Sequence, residues 1–263
     1  GIAGVAIASI LAQAISAVMV VMSLSAESME YRFRFRQMRF EGDILSRTIR
    51  IGLPAGFQSI MYSLSNMLIQ ASVNRFGTDT VASWVVLGKV DGINWMILGA
   101  LGIASMTFVG QNYGAGRLDR IQKSLKLSLL IGLCISIVFG GALLLFGWPL
   151  FGLFTSDDTV LAMSMQLLWY FAPFYWLFVP IEVISGALRG MGDTLIPTII
   201  TATGICVFRV AWIYTVVPLH NSMFTVSLSY PISWVLTAIA FAIYYMIARK
   251  KLIANAPKPR TAE

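Results

Sequence analysis

The sequence predicts an all-α fold, a polytopic membrane bundle of seven transmembrane helices, and three observations predict it. Of its 263 residues 57% are hydrophobic and only 12% charged, with a mean hydropathy of +0.78. Soluble domains carry about 25% charged residues, so this few cannot coat a water-facing surface. The apolar residues also gather in seven runs, each near the ~20 residues that cross hydrocarbon. Finally, basic residues concentrate in alternate loops, as they do on the cytoplasmic side of membrane proteins.

Taken in order, run A covers 1–25 and is apolar from Gly1. The chain has no starting Met or signal peptide, so an upstream portion is expected. Run B (51–74) is free of charge, with Pro54 in its first turns. Runs C (84–109) and D (127–147) follow. Run E (166–187) contains Pro173 and Pro180, run F is 195–218, and run G (224–248) contains Pro231. Each interior proline frees a carbonyl and is expected to kink its helix. A β-barrel would need spans of about 10 residues with alternating polarity. These runs are longer and apolar on nearly all sides.

The loops set the orientation. Arg32, Arg34, Arg36, Arg39, Arg47 and Arg50 follow run A. Arg117, Arg120, Lys123 and Lys126 follow C, Arg189 follows E, and Arg249, Lys250, Lys251, Lys258 and Arg260 follow G. The alternate loops hold only Arg75 and Lys89 after B and His220 after F. The N-terminus is therefore expected outside and the C-terminus in the cytoplasm. The chain reads as a span at 1–25, a basic cytoplasmic linker at 26–50, a six-helix body at 51–248 and a basic tail at 249–263. The net charge of +7 is assigned to lipid headgroups and not to nucleic acid. In the linker, Tyr31 to Arg36 alternates aromatic and basic residues, which suits the anionic inner leaflet. Cys134 and Cys206 lie within apolar runs and are expected to be reduced thiols acting as small hydrophobes.

Charged groups within a span face a cavity or a partner, because lipid cannot solvate them. Asp91 in C, Glu182 in E and Arg209 in F are the three that stand out. Helical rise puts Asp91 about 8 Å and Arg209 about 4 Å to the outer side of their run centres, and Glu182 about 9 Å to the inner side. Depth thus pairs Arg209 with Asp91, in a structural ion pair, and Glu182 with Arg189. A carboxylate in a dry cavity can also exchange protons or bind a cation. On run B, Ser59, Ser63, Asn66 and Gln70 are spaced four, three and four apart, so they share one helix face, flanked by Tyr62. That stripe faces either a wet cavity or a neighbouring helix as hydrogen-bond glue. Gly88 and Gly92 form a small-xxx-small pair that suits close packing.

Three stretches carry a resemblance to a known family. They are Gly52-Leu53-Pro54, the run Phe108-Val109-Gly110-Gln111-Asn112-Tyr113-Gly114-Ala115-Gly116, and the run Gly186-Ala187-Leu188-Arg189-Gly190-Met191-Gly192-Asp193-Thr194 with Pro197 beyond it. In order, spacing and membrane side they resemble the multidrug and toxic compound extrusion family, over nearly the whole chain. The resemblance implies one lobe of a two-lobe, twelve-helix transporter. Run A corresponds to the last helix of the first lobe and B–G to the second, so an N-terminal lobe of the same protein is the implied partner. It implies export of small cationic or amphipathic organic compounds in exchange for Na+ or H+, with no cofactor. It also implies a multi-pass protein of the plasma membrane, the inner membrane of a bacterium. Sodium-type members carry a Glu about two turns past Gly-Leu-Pro; here Tyr62 holds that place. The key Asp of proton-type members lies in a first-lobe helix outside this chain.

Two other classes compete. Seven spans with an external N-terminus is also the topology of heptahelical receptors, although run G lacks the lysine of a retinal type. Gly190-Met191-Gly192-Asp193 matches the GxGD pattern of intramembrane aspartyl proteases, which need a second aspartate in the same site. Asp193 instead reads as a turn residue capping run F, and no enzyme is expected.

Overall fold

The computed structural model describes residues 2–25 and 39–254, so the alternating Tyr31–Arg36 motif, Lys258 and Arg260 lie outside the described residues. The chain divides into two compact units, 1–49 and 50–263. In the first, α1 (Ile2–Leu24) is a helix whose described side chains are all exposed. Alanine, valine, isoleucine and methionine cover every side of it, which suits a lipid-facing span.

The helix α2 (Gly42–Val73) starts inside the stretch read as linker, so 42–50 are its first turns and Pro54 lies in its interior. Charged residues can continue a helix past the hydrocarbon edge, where headgroups and water solvate them. The same reason extends α3 (Thr78–Gly114) and α4 (Leu118–Phe151) beyond their apolar runs, and carries α9 (Met223–Ala254) into the predicted tail. Asp79 and Asp119 occupy first turns, where a negative charge suits the helix dipole.

Two predicted spans are not single α-helices. Run E is α5 (Asp158–Phe171), a 3-10 segment (Ala172–Leu177) and α6 (Phe178–Gly190). Pro173 lies in the break, whereas Pro180 sits in the first turn of α6, where its missing N–H costs nothing. At the head of α5 the Asp157 carboxylate accepts from the Thr159 and Val160 amides at 2.8 and 3.2 Å. Run F is α7 (Leu195–Thr201), a π-turn (Ala202–Val207) and α8 (Phe208–Thr215). A Cβ at Gly204, in the π-turn, would run into the Thr237 hydroxyl of α9. Six of the described spans, treating α5–α6 and α7–α8 as single spans, are long and apolar enough to cross a membrane. The remaining one, α2, has the length but carries the polar stripe.

The tightest packing joins α3 to α6. A Cβ on Gly186 would strike the Gly102 carbonyl, and one on Gly190 the Met106 carbonyl. Beside them Ser105 Oγ donates to the Val183 carbonyl at 3.1 Å. Gly186 and Gly190 are thus the small-xxx-small pair that sets this seam. Gly88 and Gly92, expected in that role, have nothing within 4 Å of a Cβ, because their face of α3 borders open space. Leu98, Val109, Val179, Val183, Ala187 and Leu188 are buried around the seam.

Past the seam the chain reverses at Gly116 (φ 69°) and Gly192 (φ 90°), left-handed positions that disfavour a Cβ. Asp193 does not cap the next helix. Thr194 at its N-cap makes no side-chain cap bond, and Asp193 instead accepts the Tyr244 hydroxyl of α9.

Candidate functional site

At the end of the lobe away from those glycine turns, the second unit encloses a cavity of about 440 Å³. The C-terminal half of α2 supplies Tyr62, Asn66 and Gln70, and the N-terminal half of α3 supplies Trp84, Gly88, Asp91 and Trp95. Phe171 and Phe178 flank the 3-10 break, Arg209 comes from α8, and Tyr230 and Trp234 come from α9. Rings form most of the wall. Trp84 meets Phe171 and Tyr230 edge-on at 5.8 and 5.9 Å, and Trp95 meets Phe178 and Trp234 at 4.9 and 5.7 Å. These separations lie within the range of favourable edge-to-face contacts.

Two charged side chains enter this aromatic box. Asp91 is 8% exposed, accepts the Tyr175 hydroxyl, and has Trp95 as a second side-chain neighbour. Arg209 is 4% exposed. Its Nε donates to Ser233 Oγ at 2.9 Å, and its guanidinium carbon lies 3.9 Å from the centre of the Tyr230 ring. The ion pair expected between them is not formed. Ser233 and Tyr230, one turn apart on α9, take Arg209, while Tyr175 takes Asp91. Depth along a helix gave no information on which neighbour each side chain would turn towards.

The remaining sequence candidates divide. Tyr62, Asn66 and Gln70 line the cavity, with Gln70 also donating to Asn74 at 2.9 Å. Ser59 and Ser63 are exposed and do not line it; Ser63 Oγ bonds back to the Ser59 carbonyl at 3.0 Å. Glu182 is half-buried on the α3–α6 seam, its Oε2 2.6 Å from where a Gly102 Cβ would stand, and within electrostatic reach of Tyr62. Arg189 does not pair with Glu182 through a hydrogen bond: its Nη2 donates to Ser185 Oγ at 2.9 Å. The motif residues Gly110, Gln111, Asn112, Gly114, Gly116, Gly190, Gly192 and Asp193 stand at the opposite end, where Asn112 bonds the Phe108 carbonyl at 2.8 Å. There Asp193 is tied to Tyr244, away from the Asp91 cavity, so the paired-aspartate arrangement is not built from these two.

Sequence reading missed the aromatic wall. The signal was present: Trp84, Gly88, Asp91 and Trp95 repeat the four-three-four spacing of the α2 stripe, and Tyr230 and Trp234 are one turn apart.

A bundle of membrane-length helices around an amphipathic internal cavity is the architecture of a membrane transporter lobe. The MatE family profile matches residues 54–215, and the chain belongs to that family. Among its relatives, the Probable multidrug resistance protein YoeA of Bacillus subtilis is 26% identical over 226 residues, covering 82% of this chain and 47% of the relative. The Probable multidrug resistance protein NorM of Thermotoga maritima is 23% identical over 209 residues, covering 80% and 45%. Among solved structures, MATE in the straight conformation superposes with a TM-score of 0.84 at 17% identity, covering 95% of this chain and 57% of that one. The chain spans about half the length of the relatives it matches.

Proposed function

We propose that the protein carrying this chain is a secondary antiporter that exports cationic or amphipathic organic compounds in exchange for inward Na+ or H+. The chain supplies the second of two lobes, joined to the first by the basic segment before α2. The protein lies in the plasma membrane with its glycine turns and basic tail in the cytoplasm. Asp91, Tyr62, Asn66 and Gln70 line the pathway, and Glu182 is a second carboxylate on it, reached through Tyr62.

The observation that carries this reading is the cavity. Its volume and mixture of ring faces with a few polar groups suit an amphipathic organic molecule. Rings attract organic cations through their faces, and Asp91 adds a carboxylate among them. The walls also contain the parts that can move: the 3-10 break at Pro173, the π-turn before Arg209 and Pro231 in α9. Interrupted helices around a binding site are the usual hinges of alternating access.

The test is extrusion of a fluorescent organic cation from vesicles containing the protein, driven by an imposed Na+ or H+ gradient. Asp91→Asn and Glu182→Gln are each expected to slow gradient-driven extrusion. Wild-type rates in both variants would remove the two carboxylates from the pathway. No gradient-driven extrusion by the wild type would remove the antiport reading itself.

A further inference from the structure

Among the described residues Arg209 forms no ion pair with a carboxylate, although Asp91 lines the same cavity. Arg209 has five N–H donors, of which Nε is spent on Ser233. Its guanidinium carbon lies 3.9 Å from the centre of the Tyr230 ring and 5.9 Å from that of Trp234. Among the described residues the four Nη hydrogens have no protein acceptor. A second donor stands on the same wall: Trp234 is fully buried and its Nε1 has no hydrogen-bond partner. Asp91, the other charged group of the cavity, accepts from Tyr175 and is not directly paired with Arg209. Burying a guanidinium without a directly paired opposite charge costs free energy, and a ring face offsets only part of that.

From this arrangement we infer that Arg209 is an anion-binding subsite, and that the transported compound bears a carboxylate or similar oxyanion alongside its cationic or aromatic part. The inference rests on the transport reading above and narrows its substrate class from cationic or amphipathic compounds to amphipathic ones that bear an oxyanion. The planar fork of a guanidinium takes a carboxylate through two parallel N–H bonds, a geometry that an ammonium cannot reproduce. The Tyr230 contact and the Ser233 hydrogen bond hold the side chain in advance, so little side-chain freedom is lost when the anion arrives. The Asp91 side of the cavity remains for the positive or aromatic portion.

A matched pair of ligands tests this: a xanthylium dye with a free ring carboxylate, and its methyl ester. Binding of each to the purified protein is measured by equilibrium dialysis. Wild type is expected to prefer the carboxylate form by about tenfold or more. Arg209→Gln is expected to abolish that preference, and Arg209→Lys to retain part of it. Equal wild-type affinity for acid and ester would overturn the inference even if Arg209→Gln does not fold, and would leave the transport reading standing. Preference for the acid that survives Arg209→Gln would place the anion elsewhere and also overturn it. Failure to bind either dye would overturn this inference, while gradient-driven extrusion remains the separate test of the transport reading. Replacing chloride by methanesulfonate distinguishes a small inorganic ion. If acid and ester then bind alike, while chloride alone protects Arg209 from a guanidine-specific dicarbonyl reagent, the subsite belongs to chloride.

Discussion

The two ends of this lobe use the same helices in opposite ways. Near Gly102, Gly186 and Gly190, α3 and α6 meet backbone against backbone, with no room for a single added methyl group. Two to four turns further along, α3 presents Gly88 and Asp91 to an open cavity, and α6 gives way to the 3-10 break. Small residues let one end close into a tight seam, while large rings hold the other end apart. Rigidity and space are thus separated along the length of one helix pair, so the cavity end can rearrange around a fixed pivot.

Substitutions at each end should break that comparison in different currencies. The largest effect is expected at the cavity: Asp91→Asn should reduce extrusion roughly tenfold or more, with little change in thermal stability. An equal loss of stability would mean that Asp91 serves packing through Tyr175. Next comes the seam. Gly186→Ala must push the α6 backbone off the Gly102 carbonyl, and overpacking of this kind costs about 1–3 kcal/mol. Thermal unfolding in detergent, followed by circular dichroism, should show the lower midpoint. A smaller loss, about 1 kcal/mol, is expected for Tyr244→Phe, which leaves Asp193 without its hydroxyl donor. The smallest effect contrasts directly with the seam: Gly88→Ala meets no neighbour, and alanine favours the helix by about 0.5–1 kcal/mol, so the midpoint should hold or rise. A drop at Gly88 as deep as that at Gly186 would erase the distinction between the two ends.

The bundle was legible because lipid imposes its demands everywhere along a span. Apolar run length located helices at all seven runs, six of them long and apolar enough to cross a membrane, and α2 was missed only at its start, where interface-solvated charges extend the helix. The breaks were less legible. Pro173 and Pro180 looked equivalent, yet one opens a 3-10 segment and the other sits harmlessly in a first turn. No residue in Ala202–Val207 announces a π-turn; Gly204 is there because α9 comes too close for a Cβ.

At the candidate site, periodicity found the α2 stripe but could not divide it. Tyr62, Asn66 and Gln70 line the cavity, whereas Ser59 and Ser63 of the same helix are exposed outside the lining. The expected Arg209–Asp91 pair failed for a related reason. Partner choice within a bundle depends on helix rotation, and rotation is set by contacts such as Gly204 against Thr237, between residues 33 positions apart.

The space beside Asp91 should be a water-accessible binding cavity and not a lipid-filled cleft. Cysteine accessibility tests it most directly. With Cys206 replaced by Ser, a Gly88→Cys variant in membranes would be treated with a charged, membrane-impermeant thiol reagent, with Cys134 on the exposed face of α4 as the internal comparison. The expected result is rapid labelling at residue 88, slowed by a transported compound, with Cys134 unreactive because lipid covers it. Labelling of Cys134 with residue 88 unreactive, or labelling at 88 that no ligand slows, would contradict the account.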